Sequence, residues 1–258
     1  MKNQYFNILV KKISKYKNKL VHIEDLKKIL KNILDEQYKD TKAYKNIYYL
    51  KNRWYLISLR KDLFFVKSPQ LEIDDDELLQ KFYRKILKQS AKDQLSSQRY
   101  IWDLKALEIN INNYNIPDKI VIINPFKKSH ETVILGKKAI FKTFESKSQN
   151  IYNHLRKFTF SALIEWISFK TARLELALLE AMHSPDPAEY EYIKQLAKRI
   201  LKKSWKKLQI PIFEQVIKLG KHHASINRLY KVSQAISPNL ATQFREIIKK
   251  YSFFLEVD

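Results

Sequence analysis

The chain has 258 residues, 45% of them apolar, so it is long enough for one large or two small domains with hydrophobic cores. It carries 49 Lys and Arg against 27 Asp and Glu, a formal net charge of +22, and it contains no cysteine. The missing cysteines exclude disulfides, thiolate catalysis and cysteine-bound zinc, and they fit a cytoplasmic protein. No apolar run reaches the roughly 18 residues that a membrane helix needs, so we expect no membrane partner.

Glycine is scarce, since the chain has only Gly136 and Gly220. A P-loop, a dinucleotide-binding fingerprint and a hydrolase nucleophile elbow each need several glycines close together. These sites are excluded, and we expect a non-enzymatic protein with no catalytic residue, no metal and no cofactor. The six histidines lack carboxylate partners at metal-ligand spacing, so we expect ordinary surface or helix-capping roles for them.

The positive charge is concentrated toward the two ends of the chain. Residues 1–68 have 17 basic and 6 acidic side chains, and residues 198–251 have 13 and 2, so each segment carries a net charge of +11. Residues 69–197 have 19 and 17, a net charge of +2. Such a field attracts polyanions and accelerates their association, which points first to nucleic acid as a partner.

The first 68 residues combine helical and extended patterns. Apolar residues recur at helical spacing in "NQYFNILVKKISK" and "HIEDLKKIL". Asp40 can cap a third helix, "TKAYKNIYYLKNR", with Ala43, Ile47 and Leu50 facing inward. Two strands, "WYLISL" and "LFFVKS", are joined through the cationic turn "LRKD". Three short helices and a hairpin predict a winged helix-turn-helix DNA-binding domain at residues 1–68.

In a winged helix, the third helix enters the major groove and the hairpin turn contacts the adjacent backbone. Lysine and arginine in these places would bind phosphates, and Thr or Tyr could contact base edges. A winged helix that binds a protein, with its basic face in solvent, is the alternative. The predicted DNA-binding residues are Lys39, Thr41, Lys42, Lys45, Tyr48, Arg53, Arg60 and Lys61.

Residues 69–258 are predicted to form a second, α+β domain, with a mixed α/β part at 72–185 and a helical bundle at 187–251. The acidic run at 74–77 fits the first turn of a helix, where the helix dipole favours it, better than a metal cluster. The fold class is therefore α+β: an N-terminal winged helix-turn-helix, a mixed α/β middle region and a C-terminal helical bundle. The expected elements are a helix at 99–110, a strand at 119–124, a hairpin of 131–135 and 138–144, a strand at 157–169, a helix at 171–182, and helices near 187–207, 211–220, 223–236 and 238–251.

The C-terminal bundle carries the basic stretch "KRILKKSWKK". One interpretation is a lysine-rich solvated face, and the other is a platform for an acidic protein surface or for nucleic acid. A pure interaction protein that clamps an acidic partner enzyme would use this stretch and would bind no operator DNA. The predicted partner-binding residues are Lys202, Lys203, Lys206 and Lys207.

A metal-dependent nuclease is a further alternative. Pro117-Asp118, followed by Glu145-Ser146-Lys147, is similar to the nuclease pattern PD-(D/E)xK, in which two acids hold a metal and the lysine stabilises charge. The site would need Asp118 and the Glu145–Lys147 segment at the ends of neighbouring strands. Pro-Asp before a strand is also common turn chemistry, which gives the same residues an ordinary explanation.

Three short motifs follow the predicted winged helix in a fixed order. Tyr100–Glu108 has the form "Y-x-x-x-x-x-A-L-x", and Pro117–Val121 gives a looser form of a "P-x-x-I-x-V" strand. Ala172, Arg173 and Glu175 give a looser form of an "A/E-R-x-x-L-E" helix start. This order resembles the AbiEi-type antitoxins, the transcriptional-repressor partners in AbiE-type (type IV) toxin–antitoxin systems of phage defence. The resemblance extends over about residues 20–235.

The resemblance implies two roles. The N-terminal module would bind inverted repeats in its own promoter and repress the operon. The C-terminal region would support antitoxicity and help DNA binding, against a nucleotidyltransferase-like toxin encoded next door, with or without direct contact. The family's wing tip reads "R-x-G", and Asp62 stands here in the glycine position, so we expect a differently shaped wing.

Overall fold

The computed structural model describes residues 2–34, 38–68, 74–94, 99–124, 129–143, 149–183, 185–219 and 222–253. The protein is mixed α+β, as predicted, with helical regions toward both ends of the chain. It divides into two compact units, Met1–Ile86 with Thr132–Lys138, and Leu87–Glu131 with Ala139–Asp258. This division falls inside a helix, whereas the sequence places the domain boundary at residue 68.

The first unit combines helices with a small antiparallel sheet. Its three N-terminal helices and its hairpin lie where the sequence predicts them, but strand β1 is not predicted. β1 pairs with β3, with Val21 opposite Phe64, and β3 also pairs with β2, so the strand order is β1-β3-β2. The elements are α1 (Lys2–Ile13), β1 (Leu20–His22), α2 (Ile23–Leu34), α3 (Asp40–Asn52), β2 (Leu56–Arg60), β3 (Leu63–Val66) and the first part of α4 (Asp75–Gln94).

The core of the first unit lies between its helices and its sheet. β3 is the central strand, and all four of its residues are buried. Phe65 of β3 packs against Phe82 of α4, with ring centroids 5.5 Å apart. The main cluster of buried residues is Leu9, Ile13, Val21, Leu26, Leu30, Ala43, Ile47, Leu50, Leu56, Phe64 and Val66.

The acidic run at 74–77 is the start of α4. The Asp74 carboxylate accepts a hydrogen bond from the Glu77 backbone N–H at 2.6 Å, which satisfies one of the free donors at the helix N-terminus. Asp75, Asp76 and Glu77 follow in the first turn, where the helix dipole favours negative charge. Helix capping therefore accounts for this run.

The second unit is built on a six-stranded mixed sheet with the strand order β6-β7-β5-β4-β9-β8, in which the tip of the β6–β7 hairpin is counted with the first unit. β4 pairs antiparallel with β5 and parallel with β9, so Ile101 lies opposite both Ile122 and Thr171. The elements are β4 (Tyr100–Trp102), α5 (Asp103–Asn110), β5 (Lys119–Asn124), β6 (His130–Ile134), β7 (Lys137–Thr143), α6 (Gln149–Leu155), β8 (Thr159–Ile164), β9 (Ile167–Ala172), α7 (Leu174–Ala181), α8 (Pro187–Ser204), α9 (Ile210–Leu219), α10 (His223–Gln234) and α11 (Pro238–Lys250).

The prediction of one helix over 99–110 is wrong at its start. Tyr100, Leu104 and Leu107 recur at helical spacing, but Tyr100 lies in strand β4. Its hydroxyl donates a hydrogen bond to Glu180 at 2.8 Å, a partner 80 residues later in the chain. The chain leaves the sheet at Asp103, whose φ of 62° is in the left-handed region, and only there does α5 begin.

The single strand predicted at 157–169 is also wrong, because the segment folds into a hairpin. β8 and β9 pair antiparallel, with Ile164 opposite Ile167. Glu165 and Trp166 have φ values of 45° and 64°, which makes a two-residue turn of the kind that usually contains Gly or Asn. Trp166, in this turn, is 92% exposed. Because β9 continues to Ala172, α7 begins at Leu174 and not at residue 171.

The four C-terminal helices agree with the sequence to within a few residues. Pro187 and Pro238 are the first residues of α8 and α11, where the missing N–H of proline costs no hydrogen bond. In the bundle, Phe213 of α9 packs edge-on against Phe244 of α11, with ring centroids 5.2 Å apart. None of the helices in the described segments combines the length and apolar character needed to cross a membrane.

His222 is buried in this bundle, which corrects its expected role as an ordinary surface or capping residue. Its side chain lies beside that of His183, with ring centroids 5.2 Å apart, and only 7% of the residue is exposed. The pKa of His222 is lowered from 6.5 to about 4. Burial is the largest cause, and the neighbouring His183 adds to the shift. The folded protein therefore keeps this imidazole neutral in mildly acidic solution.

We expect the free energy of unfolding to fall as the pH drops from about 6.5 toward 4. In this pH range His222 becomes protonated in the unfolded chain but stays neutral in the folded protein. The resulting loss of stability reaches up to about 3 kcal/mol. Urea unfolding at pH 7 and 4.5 should show a smaller loss in His222→Gln than in the wild type. The exposed neighbour provides the control: its charge is the smallest of the three causes that lower the pKa of His222, so His223→Gln should change the profile far less than His222→Gln does. Identical pH profiles for the wild type and His222→Gln would contradict this assignment.

Candidate nucleic-acid interface

Helix α3 turns one side to the core and the other to solvent. Before it, Lys39 has an extended backbone, and the Tyr38 hydroxyl donates a hydrogen bond to Asp40 in the first turn at 2.8 Å. Ala43, Ile47 and Leu50 form the buried stripe, and on the remaining sides of the helix every residue except the half-buried Asn46 is exposed. We call the exposed residues Thr41, Lys42, Tyr44, Lys45, Tyr48, Tyr49, Lys51 and Asn52 the outer face of α3.

The structure places most of the predicted DNA-binding residues in this region. Thr41, Lys42, Lys45 and Tyr48 all belong to the outer face of α3, and Lys39, just before the helix, is exposed as well. The sequence-based assignment of the buried stripe is confirmed residue by residue, and it fixes the orientation of the opposite side.

The outer face of α3 is basic. It carries Lys42, Lys45 and Lys51, and Asp40 is the single acidic residue of the helix. The Asp40 carboxylate also accepts the hydrogen bond from Tyr38, which engages part of its hydrogen-bonding capacity. Three lysines along one helix give a positive surface of the kind that binds phosphate groups.

Exposed aromatic side chains lie among these lysines. Tyr44, Tyr48 and Tyr49 are 51%, 58% and 42% exposed. The Lys27 ammonium of α2 lies 5.0 Å from the centre of the Tyr44 ring, and that of Lys45 lies 5.9 Å from the Tyr49 ring. Cation–π contacts of this kind restrict the rings while leaving part of their surface open. The outer face therefore combines cationic and aromatic groups.

The sequence prediction omitted Tyr44, Tyr49 and Trp54. Tyr44 precedes Tyr48 by four residues, and Lys45 precedes Tyr49 by four, so the two members of each pair lie on the same side of the helix. This spacing could have identified the two tyrosines. Trp54 lies just after the helix, is 70% exposed and has a φ of 61°, so it belongs to the turn and not to strand β2 as predicted.

Arg53 is exposed, but its side chain stacks on α1. The guanidinium lies 4.2 Å from the centre of the Phe6 ring, and the backbone N–H of Arg53 caps the C-terminus of α3. The side chain thus helps to hold α1 against the end of α3. A role for Arg53 in DNA binding stays a prediction.

The two cations of the hairpin turn have different surroundings. Arg60 donates two hydrogen bonds to the Asp62 carboxylate, from Nε at 2.6 Å and from a terminal nitrogen at 2.8 Å. Its side chain is 10% exposed, whereas Lys61 is exposed to solvent. Burial raises the pKa of Asp62, but the hydrogen bonds from Arg60 and its charge outweigh this, and the pKa lies below its ordinary value. Lys61 is therefore the cation that the turn presents to solvent.

Asp62 stabilises the hairpin turn, which contains no glycine. Its carboxylate holds Arg60, and its backbone carbonyl accepts a hydrogen bond from the Ile23 N–H at the start of α2, at 2.9 Å. A bulge between Ser58 and Arg60 shifts the register of the hairpin. These contacts hold the turn against α2. A glycine at position 62 would instead leave the turn conformationally freer.

The predicted partner-binding lysines lie at the end of α8. Lys202 and Lys203 are in the last helical turn, Lys206 and Lys207 in the short 3₁₀ turn at 205–207, and all four are exposed. Cations are favoured at a helix C-terminus because of the helix dipole, so the fold itself gives Lys202 and Lys203 a stabilising role. Partner binding by these residues stays a prediction.

Only part of the PD-(D/E)xK nuclease pattern lies within the described residues. Asp118 lies in the exposed turn before β5, while Glu145 and Lys147 lie outside the described residues. Within the described ranges, no group of three or more His, Asp or Glu side chains is placed to hold a metal ion.

Comparison of the sequence with protein-family models and with curated proteins finds no significant match.

Proposed function

We propose that residues 2–66 form a winged helix that binds duplex DNA, with α3 in the major groove and the β2–β3 turn on the adjacent backbone. The order α1-β1-α2-α3-β2-β3 and the strand order β1-β3-β2 support this proposal. The observation that carries it is the division of α3, whose apolar stripe is buried while its lysines and tyrosines are exposed. Lys42 and Lys45 contact phosphates, and Thr41 and Tyr48 are placed to contact bases.

In this proposal the protein is a cytoplasmic repressor of its own operon and the antitoxin of a nucleotidyltransferase-like toxin. The repressor part is supported by the geometry of the first unit and by the charge of the N-terminal segment. The antitoxin part is supported by the resemblance of the motifs at 100–108, 117–121 and 172–175 to AbiEi-type antitoxins. The second unit is the part of the chain that would act against the toxin.

A gel-shift titration tests the DNA-binding half. The purified chain is titrated against its own upstream region and against a scrambled duplex, each at two salt concentrations. Specific binding is typically about 10³-fold or more tighter than non-specific binding, and it weakens with salt because binding releases counterions. We therefore expect tighter binding to the upstream region than to the scrambled duplex, and weaker binding at the higher salt concentration. Equal affinity for both duplexes, or no binding, would overturn the proposal and leave the basic surfaces to a protein partner.

Co-expression tests the antitoxin half separately. The toxin-like neighbouring gene is induced with and without this chain, under promoters that lack the operator, so that repression plays no part. Growth rescue by the full chain, and by a variant in which Lys42 and Lys45 are alanine, is the expected result. Toxicity that persists at equal expression of the full chain would contradict antitoxin activity while leaving DNA binding untouched.

The hairpin turn yields a sharper prediction. Lys61→Ala should reduce the slope of log affinity against log salt concentration by about 1, because one phosphate contact is lost. The double variant Arg60→Gln/Asp62→Asn removes an ion pair without changing the net charge and should keep the wild-type slope. A slope that falls in the double variant and not in Lys61→Ala would show that Arg60 makes the contact.

A further inference from the structure

The second unit contains a basic cleft that the proposed DNA interface does not use. One cavity, of about 160 Å³, lies beside the start of β4 and is lined by Lys88, Arg99, Tyr100, Ser168 and Lys170, among others. A second, of about 420 Å³, is lined by Asn153, Arg156, Lys157, Thr159, Phe160, Ser161 and Lys170. The two cavities share Ser161 and Lys170, so they are neighbouring parts of one cleft, which we call the β8–β9 cleft.

The lining of the β8–β9 cleft has one sign of charge. Lys88, Arg99, Arg156, Lys157 and Lys170 contribute five cations, and none of the described residues that line either cavity is acidic. Arg99 is half-buried, and this partial burial lowers the pKa of its guanidinium. An anion is attracted more strongly at such a place than at a fully solvated surface, because the local dielectric constant is lower.

The secondary structure holds these side chains in place. Ser161 and Lys170 lie directly opposite each other in the antiparallel pair β8–β9. The Thr159 hydroxyl donates a hydrogen bond to the Arg156 carbonyl at 2.8 Å, which fixes the 3₁₀ turn that carries Arg156 and Lys157 into β8. Lys170 is thus positioned by strand register, and Arg156 and Lys157 by a hydrogen-bonded turn.

The remaining lining groups suit a phosphorylated molecule. Ser161, Ser168 and Asn153 supply neutral donors, which complement lysine and arginine around phosphate oxygens. The combined volume lies in the range of about 300–1,000 Å³ that small-molecule sites usually occupy.

We propose that the β8–β9 cleft binds a small phosphorylated ligand with at least two phosphate groups, such as a nucleotide or a polyphosphate. Arg99 and Lys170 hold one phosphate group in the smaller cavity, and Arg156 and Lys157 hold the charge in the wider one. A site of this kind needs no glycine-rich loop, because side chains replace the backbone N–H groups that such loops supply. The inference is independent of the proposed DNA binding.

Isothermal titration calorimetry of the full chain tests this proposal at physiological salt. The probes are inorganic phosphate, pyrophosphate, ATP and adenosine, together with a single-stranded 12-mer. We expect pyrophosphate and ATP to bind more tightly than phosphate, and adenosine not to bind. If ATP binds more tightly than pyrophosphate, the cleft is a nucleotide site. If the two bind with equal affinity, it is a polyphosphate site. Binding of the 12-mer alone would overturn the proposal and make the cleft a nucleic-acid groove.

Matched variants separate the cleft from the general positive charge of the protein. Arg99→Ala/Lys170→Ala should weaken ATP and pyrophosphate on the order of 30-fold, since two charge-assisted contacts are lost. Arg245→Ala/Lys249→Ala removes the same two residue types from exposed positions of α11 and should bind as the wild type does. Equal weakening in both variants would overturn the site. If the first variant loses thermal stability, Lys170→Glu at an exposed strand position must show the same loss of binding.

Discussion

Replacing Lys42, Lys45 and Lys61 together with alanine is expected to weaken binding to the protein's own upstream DNA on the order of 100-fold. The three ammonium groups are exposed on the outer face of α3 and on the hairpin turn, and each is assigned one phosphate contact in the proposed complex. Losing three phosphate contacts should also lower the slope of log affinity against log salt concentration by about 2.7. Fluorescence anisotropy at several salt concentrations measures both quantities.

A charge-matched variant tests whether position or total charge matters. Lys11, Lys12 and Lys31 are exposed lysines of α1 and α2 in the same unit, and their replacement with alanine removes the same three charges. This control should lose little affinity, because only long-range attraction is reduced and screening by salt is strong beyond about 10 Å. Equal losses in both triple variants would mean that α3 has no special part in binding DNA.

The largest effect on stability is expected from Leu50→Ala. Leu50 is 0% exposed in the core of the first unit, on the buried stripe of α3. Truncation of a buried leucine to alanine typically costs about 2–5 kcal/mol, because apolar contacts are lost and a cavity remains. Urea unfolding followed by circular dichroism should report this loss, and DNA affinity should fall with it, since α3 loses its support.

The neighbouring residue supplies the control for this experiment. Lys51→Ala changes an exposed position of the same helix turn and should alter the free energy of unfolding by less than about 0.5 kcal/mol. Leu50→Met, which keeps most of the volume, should lie between the two variants. A loss below about 1 kcal/mol for Leu50→Ala would show that α3 does not depend on this core.

The helices of the first unit were predictable because each carries its own periodic pattern. In α3, Ala43, Ile47 and Leu50 are buried as their spacing predicts, and α8 and α11 begin at Pro187 and Pro238. The two short strands β1 and β4 were missed. Each has three residues, which is too short for an alternation to be visible, and each is stabilised by partners far away in the chain.

The hairpin turn at 165–166 was missed for a different reason. Two-residue turns with left-handed backbone usually contain Gly or Asn, and this one contains Glu165 and Trp166. Without the turn signal, the alternation of β8 runs smoothly into that of β9, so the whole segment was predicted as one strand. Pairing of the two strands along six residue pairs outweighs the local backbone preference.

The sequence by itself determined the α+β class, the approximate boundaries of the three N-terminal and four C-terminal helices, the buried stripe of α3 and the concentration of charge toward both ends, since these depend on local periodicity and composition. Only the tertiary structure decided which cations are available. It tied Arg60 to Asp62 and stacked Arg53 on Phe6, while leaving Lys42, Lys45 and Lys61 exposed. It also brought Lys88, Arg99, Arg156 and Lys170 into one cleft. Apart from the Arg60–Asp62 pair, which is local, these placements depend on contacts between residues distant in the chain, which no local pattern records.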